Sequence, residues 1–301
     1  PHRRSGSSIF EFLRRTGEST EGFNAVLLVP TGIGAEIGGH AGDATPVATL
    51  LASVCDTLIT HPNVVNASDI NEMPGNALYV EGSVLCRLLM GTVGIQPVRS
   101  NRVLVLLHPH ADRVFTDLAV NAVNAARSSY GLNCPILIEM DRPLVMSPDY
   151  TESERAAGSV EGFGNLFDLL DKYRGEYDAV AIASVISTPL HYYSDYFWSD
   201  GDIVNPWGGV ESMLTHTISS LYDLPSAHAP MLESQAVLDI ETGVVDPRMA
   251  AEVISVSFLQ CVLKGLQRSP KIITDTEAMQ GSGILTARDI SCLVIPDGCL
   301  G

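Results

Sequence analysis

Residues 25–51, AVLLVPTGIGAEIGGHAGDATPVATLL, contain the pattern that decides the fold class. An apolar run typical of a strand, 25–29, ends at Pro30, and a loop with five glycines follows before a helical pattern begins near Ala44. In α/β proteins, a strand, a glycine-rich loop and a helix in this order present backbone N–H groups to an anionic ligand. The stretch therefore predicts an α/β protein with a ligand site in this loop.

The rest of the chain alternates short apolar runs with longer helical patterns. Strands are predicted at 56–60, 103–107, 135–139, 179–183, 271–274 and 292–295, and helices at 44–54, 82–90, 115–130, 162–172, 209–222 and 247–267. This alternation favours a Rossmann-like, mainly parallel sheet with helices on both faces, and it allows two lobes. We predict an N-terminal extension with a short helix over 1–24, a lobe with the Gly-rich loop over 25–150, and a second lobe over 151–301. We expect the second lobe to be incomplete at its C-terminal end, because the chain stops directly after a strand.

Composition and charge exclude several classes of protein. The formal net charge of −17 argues against nucleic acid, because binding to a phosphate backbone needs a basic surface. No stretch approaches the ~18–20 apolar residues of a membrane span, so we predict a protein that does not span a membrane. None of the three lysines lies in the glycine loop, which excludes a Walker-type nucleotide site.

The glycine loop predicts a small anionic ligand, with a phosphate, carboxylate or nucleotide-like group held by backbone N–H groups. A nicotinamide cofactor is disfavoured, because GIGAEIG is one residue longer than GxGxxG and His61 stands where an acidic residue is expected. In the alternative interpretation the glycines serve only tight turns and close packing. The identity of any cofactor stays unknown at this point.

Acid–base chemistry is predicted at the ends of the first two strands. The sequence THPNVVN, 60–66, places His61 at a strand end, and His61 with Asp43 are the candidate catalytic residues. Asn63 and Asn66 would orient a polar substrate. The alternatives are that Asp43 caps a helix and that the segment after His61 simply forms a turn. No motif supports a metal site, so no metal ligands are predicted.

A second candidate region is NPWGGVESMLTHTISSLYDLPSAHAPM, residues 205–231. Gly208 and Gly209 open a predicted helix, Glu211 faces one side of it, Trp207 could cover a ligand, and His228 follows in a strand of small residues. The complete set of predicted ligand-binding residues is Thr31, Gly32, Gly34, Gly38, Gly39, His40, Asn63, Asn66, Trp207, Gly208, Gly209, Glu211 and His228.

An aromatic stretch, 187–208, is predicted to be a long loop that contains both tryptophans. Loops of this length inside a compact domain are usually functional. We expect either a lid that closes over the ligand or an interface with a protein partner or a second copy of the chain.

Three segments, 29–82, 205–231 and GVVDPRMAAEVIS (243–255), resemble an uncharacterised family named domain of unknown function 3326, found among cyanobacteria, algae and plants. The resemblance covers nearly the whole chain from Asn24 onward. It implies a plastid or cyanobacterial setting, such as the plastid stroma or the cyanobacterial cytoplasm, and members that continue past Gly301. It brings no reaction and no catalytic residues.

The leading hypothesis is a soluble enzyme, a transferase or a hydrolase, that binds a small anionic metabolite through the Gly-rich loop. The alternative is a non-catalytic accessory or assembly subunit of a plastid protein complex, with the aromatic loop as its docking surface. A metabolite sensor with the same pocket is a third hypothesis.

Overall fold

The computed structural model describes residues 22–30, 32, 40, 44–65, 73–199, 203–254, 258–297 and 299. Within these residues the strands are β1 (Asn24–Leu27), β2 (Thr57–Thr60), β3 (Ala77–Tyr79), β4 (Gly94–Gln96), β5 (Val103–Leu107), β6 (Ile136–Glu139), β7 (Val145–Tyr150), β8 (Ala156–Glu161), β9 (Ala179–Val185), β10 (Ser226–Met231), β11 (Lys271–Ile273) and β12 (Cys292–Val294).

Helices separate most neighbouring strands of the chain, as is usual in an α/β fold. They are α1 (Thr45–Ala52), α2 (Pro62–Val65), α3 (Gly82–Leu89), α4 (Arg113–Tyr130), α5 (Phe163–Lys172), α6 (Leu190–Trp198), α7 (Gly208–Tyr222), α8 (Gln235–Leu238), α9 (Ala250–Ile254) and α10 (Phe258–Arg268).

Two four-stranded parallel sheets form the centre of the protein. The first has the order β12-β1-β2-β3 and the second the order β10-β9-β5-β6, and all neighbouring strands within both sheets run parallel. β5 and β9 are buried along their whole length, as is usual for parallel strands covered on both faces. The predicted α/β class, with parallel strands and helices on both faces, is confirmed.

Helix α10 packs against both sheets. It contacts β3 of the first sheet and β5, β9 and β10 of the second, and its residues Leu259, Val262, Leu263 and Leu266 belong to a core that also contains side chains from both sheets. A Cβ atom on Gly265 of this helix would lie 2.7 Å from the ring of Tyr79, which explains the glycine. Further cores cover the opposite faces: α3 lies on the first sheet, and α5 and α7 lie on the second.

Each sheet contains strands from both sides of residue 150, where the predicted boundary lies. β12 joins β1, β2 and β3, whereas β9 and β10 join β5 and β6. The polar segment around 150, where the boundary was placed, forms the antiparallel hairpin β7–β8, and α7 packs on β8. The hairpin was missed because its few apolar residues are interrupted by small and polar ones and form no continuous apolar run. The division of the chain into lobes stays a prediction.

The aromatic stretch 187–208 is not a continuous loop, because it contains helix α6. Tyr196 of this helix is 1% exposed and anchors it, while Trp198 at its end is 63% exposed. The helix was missed because its polar and aromatic residues give a weak apolar periodicity.

Candidate functional site

A cavity of about 730 Å³, which we call the polar cavity, lies at the carboxyl ends of β1, β2 and β3. Helices α3 and α7 and strand β10 complete its walls. Its polar lining includes His61, Asn63, Glu81, Arg87, Glu211 and His228. In parallel α/β sheets this edge is where ligands bind, because the loops that leave the strands converge there.

On the side of the first sheet, polar side chains bind the main chain. The amide N–H of Val29 donates to His61 Nε2 at 2.9 Å, and Asn63 Nδ2 donates to the carbonyl oxygens of Val29 at 3.1 Å and Pro30 at 3.3 Å. Because Nε2 is an acceptor, the neutral ring carries its proton on Nδ1. Burial lowers the pKa of His61 to about 4, so the imidazole is neutral near pH 7.

Helix α3 brings one carboxylate and one guanidinium to the polar cavity. Glu81 is the N-cap of the helix, and its Oε2 accepts from the amides of Ser83 at 3.0 Å and Val84 at 3.3 Å, so this helix terminus already holds an anion. Arg87 lies six residues after Glu81, and its Nη2 is 3.5 Å from Asp223 Oδ1. Within the described part of the chain, its buried Nη1 has no hydrogen-bond partner.

On the side of the second sheet, polar side chains bind one another. His228 Nδ1 is 2.7 Å from Glu211 Oε1, and His228 Nε2 is 2.9 Å from Ser184 Oγ. The Ser184 hydroxyl also lies 3.3 Å from Met146 Sδ, so its proton has two possible acceptors. These side chains form a chain of hydrogen bonds, which we call the Ser–His–Glu chain.

The register of two strands and one helix produces this chain of hydrogen bonds. Ile182 is the partner of His228, and Ser184 is the partner of Pro230, so Ser184 and His228 lie on the same face of the parallel pair β9–β10. Helix α7 covers that face through Val210, which places Glu211 above the imidazole.

Glu211 is the member of the chain that faces the polar cavity most openly. Its side chain is 24% exposed, whereas that of His228 is 1% exposed, and Ser184 is fully buried and does not line the cavity. Among the described residues, Glu211 Oε2 makes no hydrogen bond. The arrangement resembles a hydrolase triad in composition but runs the other way, because the carboxylate faces the cavity and the serine is the buried end.

A second cavity, of about 200 Å³, adjoins the first. We call it the apolar cavity, because Tyr193, Phe197, Trp207, Val237 and Phe258 are among its lining residues. Asn205 and Glu211 line both cavities.

The structure brings together part of the predicted site. His61, Asn63, Gly208, Glu211 and His228 all line the polar cavity. Six other candidates, Thr31, Gly34, Gly38, Gly39, Asp43 and Asn66, lie outside the described residues.

Four predicted residues have other surroundings. Trp207 lines the apolar cavity, and His40 Nδ1 lies 2.7 Å from the buried hydroxyl of Tyr196. Burial lowers the pKa of His40 to about 4. Gly32 and Gly209 both pack against Ala156 of β8, where a Cβ atom would lie 3.0 Å and 2.5 Å, respectively, from the carbonyl oxygen.

The predicted anion-receptive start of α7 is occupied by a side chain. Asn205 Oδ1 accepts from the amides of Trp207 at 2.9 Å and Gly208 at 3.2 Å. Trp207 is the N-cap residue of α7, and Asn205 precedes it by two residues.

Arg87, Glu81 and Ser184 also belong to the site or support it, and sequence reasoning did not select them. Arg87 had one signal, because it is a charged residue within the apolar run SVLCRLLM. Ser184 and Glu81 had only their positions after predicted strands or before a predicted helix. Across the ranges described, no three His, Cys, Asp or Glu side chains converge in a group that could hold a metal ion.

The fold and the site together define an α/β protein that has a cavity lined by ionisable side chains at the carboxyl edge of a parallel sheet. The chain belongs to the family described as protein of unknown function DUF3326, whose model matches residues 24–301. It is 32% identical over 278 residues to an uncharacterized lipoprotein of Synechococcus sp. (strain ATCC 27144 / PCC 6301 / SAUG 1402/1), covering 92% of this chain and 76% of that protein. No solved structure matches the chain significantly.

In the part of the chain that is described, no helix combines the length and the apolar character needed to cross a bilayer.

Proposed function

We propose that the protein is an enzyme that acts on a small anionic metabolite in the polar cavity, by hydrolysis or group transfer. The observation that carries this proposal is the Ser–His–Glu chain, which ends in a carboxylate at the cavity wall. In the proposal, Glu211 is the general base that takes a proton from an attacking water or hydroxyl group.

The hydrogen bonds of Glu211 support this role. His228 holds Oε1 at 2.7 Å and leaves Oε2 for the ligand. Ser184 holds the other ring nitrogen of His228, so the imidazole cannot rotate away from the carboxylate without breaking both bonds. A base that is fixed in this way needs little reorganisation when a substrate binds.

The anionic character of the substrate is supported by Arg87. Arg87 lines the polar cavity and its side chain is 24% exposed, so its guanidinium can give a charge-assisted hydrogen bond to a phosphate or carboxylate oxygen. The Gly-rich loop, 31–43, belongs to the proposal as a second source of N–H donors, together with the Rossmann-like placement of that loop after β1. The loop directly follows Val29 and Pro30 in the sequence, and these two residues line the cavity.

His61 and Asp43 stay alternative acid–base candidates. His61 can offer its Nδ1 proton to a ligand, since Nε2 is bound to the main chain. In the proposal His61 is therefore a hydrogen-bond donor, and Glu211 is the base.

The test is a search for turnover by ¹H and ³¹P NMR with a panel of phosphate monoesters, phosphate diesters and carboxylate esters. We expect Glu211→Gln to lower the rate for any substrate found by about 10²–10⁴-fold, because general base catalysis contributes that much. Ligand affinity should stay within a few-fold, because Gln keeps the shape of Glu. Glu152→Gln, in the exposed turn between β7 and β8, is the matched control. Turnover that survives Glu211→Gln would overturn the proposed base.

The accessory-subunit hypothesis has one observation in its favour, which is the exposure of Trp198 at 63% on α6. A large exposed aromatic side chain is a common anchor at protein interfaces. Trp207 does not support this hypothesis, because its indole Nε1 donates to Thr188 Oγ1 at 3.0 Å and the ring lines the apolar cavity. Native mass spectrometry of protein purified from its source would favour this hypothesis if it detected a stoichiometric protein partner and no small molecule.

For location, we propose the plastid stroma or the cyanobacterial cytoplasm. The printed name of the Synechococcus relative, a lipoprotein, favours attachment to a membrane surface instead. Fractionation of source cells with an antibody against the chain separates the two, because a lipid-anchored form would sediment with membranes and dissolve in detergent.

A further inference from the structure

We infer that the apolar cavity is the second half of the ligand site, and that it binds an uncharged hydrocarbon group of the molecule whose anionic group lies at Arg87. The ligand class is thus an amphipathic acid, with a phosphate or carboxylate at one end and an aromatic ring or a short alkyl chain at the other. This inference rests on the proposed function for the position of the anionic group.

The two cavities share a wall, so one ligand can reach both. Asn205 and Glu211 line both cavities, and they belong to one short segment that includes the start of α7. Asn205 caps the helix through Oδ1, and its Nδ2 lies 3.4 Å from the Tyr196 hydroxyl, so the shared wall is tied to both α6 and α7. A ligand whose reacting atom lies at Glu211 therefore has the apolar cavity as its nearest neighbour.

The volume of the apolar cavity fits a small hydrocarbon group. The apolar cavity has a volume of about 200 Å³. An engineered cavity of roughly 150 Å³ lined by apolar side chains accepts benzene, so this one has room for a single ring or a chain of a few carbons.

Contacts among the aromatic side chains hold the walls of the apolar cavity in position without a ligand. Trp207 packs against Tyr193 with ring centroids 5.1 Å apart and against Tyr196 at 5.3 Å, and its indole is held by Thr188. A preformed apolar pocket binds a hydrocarbon group without the cost of ordering the side chains first.

The charges on the walls decide which part of the ligand enters this cavity. Glu252, which is 8% exposed, lines the apolar cavity and accepts a hydrogen bond from the Tyr196 hydroxyl at 3.3 Å. The described lining of this cavity includes the carboxylates of Glu211 and Glu252 and no arginine, lysine or histidine, whereas Arg87 lines the polar cavity beside Glu81 and Glu211. The anionic group is therefore favoured at Arg87, and the part of the ligand that enters the apolar cavity must carry no negative charge.

The test is isothermal titration of the protein with monoalkyl phosphates from methyl to octyl phosphate, and with phenyl phosphate. We expect affinity to rise about fourfold per methylene until the cavity is full and then to level off, because each buried CH₂ contributes a nearly constant free energy. Affinity that stays flat along the series, while methyl phosphate binds, would overturn the inference and leave the proposed function standing.

Two variants locate the effect. Val237→Phe fills the apolar cavity, so it should remove the dependence on chain length and leave the affinity for methyl phosphate unchanged. Val54→Phe, at a position just after α1 that is 67% exposed and lines neither cavity, is the matched control and should leave the whole series unchanged.

Arg87→Gln tests the other end of the ligand. It should weaken every member of the series by a similar factor of about ten or more, because a charge-assisted hydrogen bond is lost. A series that stays steep but ignores Arg87→Gln would support the apolar half and overturn the anionic half of the proposed function. Arg99→Gln, at an exposed position, is the control for loss of positive charge.

Discussion

The polar cavity has two walls that use similar side chains in different ways. On the wall formed by β1 and β2, His61 and Asn63 form hydrogen bonds with main-chain groups of residues 29 and 30. On the wall formed by β9, β10 and α7, His228 forms hydrogen bonds with two side chains, Glu211 and Ser184. Both histidines are buried and line the same cavity.

The difference separates positioning of the backbone from proton transfer. A side chain bonded to an amide N–H fixes the path of the chain, and it cannot change protonation without breaking that bond. A side chain bonded to a carboxylate and a hydroxyl can exchange protons with both. The first wall therefore holds the main chain of residues 29 and 30 in place at the end of β1, and the second wall is suited to chemistry.

Among the tests of this comparison, the largest expected effect comes from replacing the two histidines in turn. His228→Gln should lower turnover by roughly 10²- to 10³-fold, because Glu211 loses the partner that orients it and stabilises its charge. His61→Gln should leave turnover within about threefold, because a glutamine oxygen can still accept from the Val29 amide. Initial rates with the substrate found by NMR measure both effects.

Thermal melts of both variants are the control for this experiment, since loss of folded protein would lower any rate. The pH profile adds a second readout, because a merely structural role of His228 would leave its shape unchanged. Loss of turnover in His61→Gln with a normal melting temperature would reverse the roles of the two walls.

The next effect is on stability and depends on pH. The folded pKa of His61, about 4, lies below its ordinary value of 6.5, so the unfolded chain takes up a proton between these pH values and the folded protein does not. His61 therefore makes the free energy of unfolding fall as pH drops from 6.5 to 4, by an amount on the order of 3 kcal/mol. Urea denaturation at pH 7 and pH 4.5 should show a smaller fall for His61→Gln than for the unmodified protein. An equal fall in both proteins would contradict the neutral, buried state of His61.

The smallest expected effect comes from Ser184→Ala. Removal of the hydroxyl leaves one ring nitrogen of His228 without its partner, which corresponds to about 1 kcal/mol, or a three- to tenfold loss of turnover. Ser226→Ala removes a different buried hydroxyl, in β10, and is a suitable control for loss of a buried hydrogen bond. A loss greater than about 10³-fold in Ser184→Ala would make the serine a nucleophile and turn the Ser–His–Glu chain into an ordinary triad.

Much of the fold could be predicted because parallel strands are continuous apolar runs. The predicted strand 103–107 coincides with β5, and 179–183 lies within β9, both of which are buried on both faces. β7 and β8 escaped prediction because they form a partly exposed hairpin, whose residues need not be apolar. The assignment of β12 to the first sheet could not be predicted, since it depends on contacts between residues far apart in the chain.

The members of the candidate site were easier to predict than their connections. Glu211 and His228 were both selected from the sequence, yet their hydrogen bond depends on how α7 lies on β10. Ser184 joins them only because β9 and β10 are neighbours in a particular register. Arg87 was missed for a similar reason, because its place in the cavity wall depends on how α3 lies on the first sheet, which no sequence pattern reveals.

The pairing of β1 with β12 has a consequence for how the protein is made. Asn24 donates from its amide to Ser291 Oγ, across 267 residues of chain, and β12 is the outer neighbour of β1 in the first sheet. During synthesis on the ribosome, one side of β1 stays without its native partner until the strand at 292–294 emerges. An unpaired strand edge recruits other chains, so the nascent protein is exposed to aggregation from the synthesis of β1 until residues 292–294 have emerged. Chaperones that cover strand edges would then matter more for this protein than for one whose first strand pairs locally.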